Sequence, residues 1–131
     1  MDIVETKNEH GATLSVNRSL DRTNSRDLDK ALQTVFDKEK GAIWLDISGL
    51  QSVDSAGLSM FLKWHRKSLA QERRFALVGA NPFHKKLLQI TRLDKELVVF
   101  DRPGGMRVHG GDDGRYGEFS SRPRVELVEV G

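Results

Sequence analysis

The sequence predicts an α/β domain built on a mixed sheet, with its elements in the order β-β-α-β-α-β-α-β. Three observations predict it. Two short β-compatible runs open the chain, separated by "NEHG". Apolar residues at helical spacing then alternate with short, continuous apolar runs, which is the pattern of strands joined through helical crossovers. Composition changes at Arg102, so the domain is expected over residues 1–101 and a Gly-rich C-terminal tail over 102–131.

Each element has a local reason. "DIVETK" and "ATLSVNR" alternate as strands do, and the turn residues between them make a hairpin. Leu28, Ala31, Leu32, Val35 and Phe36 follow at i, i+3, i+4, i+7 and i+8, one apolar face of a helix. Thr23 or Asn24 suits its N-cap, and Gly41 its end. "AIWLDIS" is apolar on both faces apart from Asp46, as a central strand covered on both sides would be. A second helix starts near Asp54 or Ser55. Leu58, Phe61, Leu62, His65 and Leu69 share one of its faces, with Met60 and Trp64 beside it. "FALVGA" reads as a short strand. "NPFHKKLLQITRL" reads as a third helix with Asn81 as cap, Pro82 at the first position, and Leu87, Leu88 and Thr91 on one face. "ELVVF" completes the order as a last strand. Parallel pairing through right-handed crossovers follows for strands separated by helices. The tail holds seven of the twelve glycines and two of the three prolines, so it is expected to be extended and in part disordered. Only its "RVELVEV" alternates, which suits pairing with a sheet edge.

Composition narrows the function classes. The chain has 131 residues, 37% hydrophobic and 31% charged, and no Cys, so disulfides and thiolate metal sites are excluded. The start "MDIVETKNEHG" has neither a basic n-region nor an apolar h-region, so a signal peptide is not expected. No apolar run approaches the roughly 20 residues that span a bilayer. A cytoplasmic protein without direct membrane insertion is the expectation. Twenty-one basic residues face nineteen acidic ones for a net charge of +2, a balance that does not make a nucleic-acid binder. Lys63, Arg66, Lys67, Arg73 and Arg74 read as a solvated helix face rather than a basic patch.

The chemistry concentrates at "QSVDSAGLSMFL". Ser55 follows Asp54 at a helix start, and both residue types make good N-caps. An exposed hydroxyl at that place also suits a phosphoacceptor. A phosphate would meet free backbone N–H groups and the positive end of the helix dipole. It would add a charge of about −1.5 to −2 at the surface, enough to expel a partner that places a carboxylate or an apolar patch there. Hydrolytic chemistry fits poorly. The sequence around Ser55 is not G-x-S-x-G, and His65 lies ten residues along the same helix, roughly 15 Å away by helical rise. His84 starts another helix, and His10 and His109 fall in a turn and in the tail. "HGGDDG" over 109–114 lacks a closing metal ligand, and neither "VGAN" nor "RPGG" is a phosphate-cradling loop. No catalytic residues, metal or cofactor are therefore expected. Asp46 reads as a strand-end residue that reaches solvent or a backbone donor. Trp44 and Trp64 read as core, with an anchoring role for a partner as the alternative. Gly57, in the first helical turn, costs roughly 1 kcal/mol against Ala and marks a place where another backbone comes close.

The order of elements, taken with "LDISGLQSVDSAGLSMFL", resembles the STAS domain of anti-sigma factor antagonists. That family carries a D-[ST]-[SA]-G-L motif after a buried strand, here Asp54-Ser55-Ala56-Gly57-Leu58. "LVGANPFHKKLLQITRLDKELVVF" is similar to the family's strand, N-P turn, helix and final strand. "NRSLDRTNSRDL" looks like its "GELD"-type loop, keeping Leu20 and Asp21 and setting Ser19 where the family has glycine. The resemblance covers about residues 2–101 and implies a mixed sheet of four to five strands with about three helices. It also implies partner switching. The unphosphorylated antagonist binds an anti-sigma factor or switch-type serine kinase, phosphorylation of Ser55 releases it, and a PP2C-type phosphatase resets it. Asp21, Asp54, Ser55, Ala56, Gly57 and Leu58 would lie on the kinase-binding face. Similar domains also serve as constitutive accessory subunits of transporters, including lipid ABC systems, where Ser55 would be a cap only. A nucleotide-binding sensor is a third, weaker reading.

Overall fold

The computed structural model describes residues 2–101. Its elements are β1 (Ile3–Asn8), β2 (Gly11–Leu20), α1 (Ser25–Lys38), β3 (Ala42–Val53), α2 (Ser55–Ala70), β4 (Phe75–Val78) and α3 (Pro82–Ile90), followed by a 3-10 turn at Leu93–Lys95. The four strands form one mixed sheet in the order β1-β2-β3-β4. β1 pairs antiparallel with β2 through the expected hairpin, while β2–β3 and β3–β4 are parallel. The expected pairing of the tail with a sheet edge lies outside the described residues.

Both parallel crossovers advance in the same direction across the sheet, so right-handed connections put α1 and α2 on one face. The core lies there. Alternate residues Ala12, Leu14, Val16, Ile43, Leu45, Ile47, Phe75 and Leu77 pack with Leu28, Leu32, Val35 and Phe36 of α1 and with Phe61 and Trp64 of α2. Trp44, Ala76 and Val78 alternate to the opposite face and are buried too. β3 is thus covered on both sides, as its apolar run, interrupted only at Asp46, predicts.

The last expected strand, "ELVVF", is reduced to a single parallel bridge between Leu77 and Val99. Leu77 N–H donates to Val98 O at 2.9 Å and Phe100 N–H to Leu77 O at 2.9 Å. The reason is the partner's length. β4 has four residues, and Gly79 then turns the chain with φ 77°. Its outer edge therefore offers too little backbone for a ladder. Gly79 is also crowded, since a Cβ there would lie 2.8 Å from Asp46 Oδ1. That carboxylate accepts from Ser48 N–H at 2.9 Å, so the break in the apolar strand serves a backbone donor, as expected of Asp46.

β3 runs further than "AIWLDIS", on to Val53. It stays paired with β2 through two register shifts, between Ser15 and Asn17 and between Arg18 and Ser19, each with one extra residue on the β3 side. The left-handed conformation at this place belongs to Arg18, with φ 67°. Counted back from Leu20 and Asp21, the glycine of a "GELD"-type loop falls on Arg18 and its Glu on Ser19, which corrects the expected placement. An L-residue there is strained by roughly 1–2 kcal/mol, which glycine escapes at some cost in chain entropy. Arg18→Gly is expected to raise stability by about 0.5–1 kcal/mol in urea unfolding. A loss of stability would mean that the arginine side chain contributes more than its backbone costs.

Helix faces differ in detail from the sequence expectation. On α2 the buried residues are Gly57, Phe61, Trp64, His65 and Ser68, while Leu69 is 61% exposed. The stripe is rotated because Trp64 takes its centre. The indole packs edge-on against Phe36 at 5.4 Å and donates Nε1–H to Asp29 Oδ1 at 2.9 Å. Burial works to raise the Asp29 pKa, but hydrogen bonds from Lys63 and Trp64 outweigh it and hold the carboxyl below its usual value. On α3 the buried residues are His84 and Leu88, with Leu87 half-buried and Thr91 exposed. α1 ends at Lys38 without using Gly41 as its stop. The Arg73 guanidinium instead binds the carbonyls of Phe36, Glu39 and Gly41 at 2.6, 2.6 and 3.0 Å. Of the residues expected on a solvated helix face, Lys63 and Arg66 are exposed on α2, Arg73 lies beyond its end, and the three on the helix are engaged within the chain. Lys63 meets Asp29 at 2.8 Å, Arg66 binds Glu96 through two bonds, and Lys67 lies 4.9 Å above the Trp64 ring.

Candidate functional site

Leu20 and Val53 are register partners, so the parallel strands β2 and β3 leave the sheet side by side. The next residues are Asp21 and Asp54. Asp54 N–H donates to Leu20 O at 3.1 Å, which extends the pairing by one bond. Two segments far apart in sequence, the 20–24 loop and the start of α2, meet at one corner for this reason.

Asp54, not Ser55, caps α2. Its Oδ1 accepts from Ala56 N–H at 2.9 Å and Gly57 N–H at 3.1 Å. Its Oδ2 accepts from Arg22 N–H at 3.2 Å, which ties the loop to the helix. The loop is braced on its own side as well. Asp21 Oδ1 accepts from the backbone and hydroxyl of Thr23, and Asn24 Oδ1 accepts from Asp21 N–H at 2.9 Å. Asn24 Nδ2 donates to Ser19 O at 2.9 Å, so the residue at the N-cap of α1 spends its side chain on the loop. Hydrogen bonds from the Thr23 hydroxyl and backbone lower the Asp21 pKa.

Ser55 is the first residue inside the helix and is exposed. Among the described residues its hydroxyl makes no hydrogen bond. Asp54 is exposed beside it, whereas Asp21, Ala56 and Leu58 are half-buried. Gly57 is buried, and its closeness to another segment is internal. A Cβ at this position would lie 2.8 Å from Val53 Cγ1 and 2.9 Å from Leu20 Cγ. The glycine seats the first turn of α2 on the ends of β2 and β3. Of the residues picked out by the motif, Asp54 and Ser55 present side chains outward, and Gly57 holds the backbone that presents them.

His84 and His65 are built into the fold. His84 is buried, its Nε2 lies 2.8 Å from Leu50 O, and its Nδ1 accepts from Asn81 N–H at 3.1 Å. That geometry puts the proton on Nε2. Asn81 Oδ1 in turn accepts from His84 N–H at 2.8 Å, completing a capping box with histidine where Glu or Gln is usual. His65 is 7% exposed, and burial pushes its pKa down. His10 lies 3.5 Å from Glu9, and His109 and the 109–114 run fall outside the described residues. Among the described residues no group of three His, Asp or Glu side chains is placed to hold a metal, and no helix is long and apolar enough to cross a membrane. Sequence reasoning missed Arg22 and Asn24 at this corner. Arg22 has no local signal, because its bond to Asp54 crosses the strand pairing. Asn24 reads locally as a helix cap, and its side chain instead braces the loop through Asp21 and Ser19.

The family described as Mlab, STAS domain matches residues 3–99. The chain belongs to the STAS domain family. No curated protein matches it. Among solved structures it is similar to a putative anti-sigma factor antagonist from Thermotoga maritima, with a TM-score of 0.70 and 23% identity over 76% of this chain and 86% of that one. It is similar to the anti-sigma factor antagonist SpoIIAA of Bacillus in its unphosphorylated form, with a TM-score of 0.62 and 17% identity over 78% and 90% of the two chains. A sulfate transporter family protein from Wolinella succinogenes also shares the fold, with a TM-score of 0.64 and 14% identity over 74% and 81%. At these identities the likeness is one of fold.

Proposed function

We propose that this STAS domain is an anti-sigma factor antagonist that acts by partner switching, as a binding module and not an enzyme. One observation carries the reading. Asp54 takes over the capping of α2, which leaves the adjacent Ser55 hydroxyl exposed and uncommitted. A phosphate can then be added without removing a bond that the fold uses. The unphosphorylated protein binds an anti-sigma factor or switch-type serine kinase in the cytoplasm through the corner formed by Asp21, Asp54, Ser55 and the first turn of α2. Phosphorylation puts a dianion beside Asp54 and drives that partner off. A PP2C-type phosphatase restores the binding form.

Incubation with the cognate kinase and ATP is expected to place one phosphate on Ser55, located by mass spectrometry, and to release the partner. Uptake of phosphate by Ser55→Ala, with release intact, would sink the reading. The second reading is a constitutive accessory subunit of a transporter, such as a lipid ABC system. It is favoured by the fold shared with a sulfate transporter family protein. It expects tight binding to a transporter ATPase that is indifferent to Ser55→Asp.

A further inference from the structure

A phosphate on Ser55 needs a counter-charge, and the helix start does not supply one. Contrary to the expectation of free N–H groups, those of the next three residues are already used. Ala56 and Gly57 donate to the Asp54 carboxylate, and Leu58 N–H donates to Asp54 O at 3.0 Å. The new dianion would also stand next to a carboxylate, a like-charge neighbour that disfavours its ionised form. The cationic residue bonded to this corner is Arg22. Its backbone N–H reaches Asp54 Oδ2 at 3.2 Å, and the braced loop holds it there. Its side chain is exposed, and no ion pair or hydrogen bond engages the guanidinium among the described residues.

We propose that Arg22 is the built-in partner of phosphorylated Ser55, with its guanidinium closing from the 20–24 loop onto the phosphate. This rests on the reading of Ser55 given above. The fork of guanidinium N–H groups matches phosphate oxygens in pairs, which a lysine ammonium does not. The backbone of Arg22 is within hydrogen-bonding distance of the residue preceding Ser55, so an extended arginine side chain spans what is left. Modification would therefore do two things to the face. It would add the phosphate, and it would withdraw Arg22 from any contact it offered a partner. Ser55→Asp, with one charge on a shorter arm, would reproduce neither effect in full.

The test uses the whole chain with phosphoserine installed at position 55 during translation, so that no kinase is needed. Phosphorus NMR then follows the phosphate through its second ionisation at low salt. Removing a neighbouring cation raises that pKa, because the dianion loses its partner. Arg22→Gln is expected to raise it by about half a unit or more, Arg22→Lys by less, and the control Arg92→Gln not at all. Identical titrations for the parent and Arg22→Gln would overturn the pairing. The two ideas fail separately. A kinase that never modifies Ser55 would remove the functional reading and leave this titration standing. An unchanged titration would remove the Arg22 pairing and leave partner switching untouched.

Discussion

Asp54→Ala is expected to lower stability by about 1–2 kcal/mol and to weaken partner binding at least tenfold. The stability loss has a direct source. The carboxylate satisfies two N–H groups of the first turn of α2 and the N–H of Arg22, and alanine leaves all three to solvent. The figure stays modest because the residue is exposed and water can replace it. The binding loss has a different source. Without the Oδ2 contact the 20–24 loop is no longer tied to α2, so the two halves of the proposed face lose their fixed relation. Asp54→Ser separates the effects. A serine keeps the cap but is too short and uncharged to hold Arg22, so stability should largely return while binding does not. Urea unfolding and calorimetric titration with the unphosphorylated protein's partner read the two quantities. Wild-type affinity in a folded Asp54→Ala protein would place the binding face elsewhere.

What the sequence disclosed, and what it did not, follows from the range of the interactions. Asn81 and Pro82 are read correctly as the start of α3 because a cap is decided within four residues. The α1 stripe is read correctly because Leu28, Leu32, Val35 and Phe36 all face one core. The extent of β3 is hidden, since "SGLQSV" is a strand only because β2 continues to Leu20 beside it and two bulges absorb the mismatch. The loss of the last strand is hidden for the mirror reason: β4 is too short to template it. The site divides the same way. Ser55 stands out by its motif and its resemblance, both local. The bond between the neighbouring Asp54 and Arg22 of the loop depends on the Leu20–Val53 pairing. So does the meaning of Gly57, which the sequence marks only as a place of close approach and which in fact rests on the Leu20 and Val53 side chains.

His84→Ala is expected to cost about 2–4 kcal/mol. The ring is 2% exposed, and both its nitrogens are bonded. Nε2–H donates to Leu50 O, which lies in the stretch of β3 beyond the end of β4. Nδ1 accepts from Asn81 N–H at the entrance to α3. Alanine would leave the buried Leu50 carbonyl without that partner, at roughly 1–3 kcal/mol, while the part-buried Asn81 N–H is open to water and costs less. It would also open a cavity the size of the ring. His84→Gln should recover part of the loss, because glutamine at this position of a capping box can accept from Asn81 N–H. It should not recover the Leu50 bond with the same geometry. Thermal unfolding of the three proteins gives the order histidine, glutamine, alanine. Alanine matching the parent would show that α3 is held by Leu88 and its apolar neighbours alone.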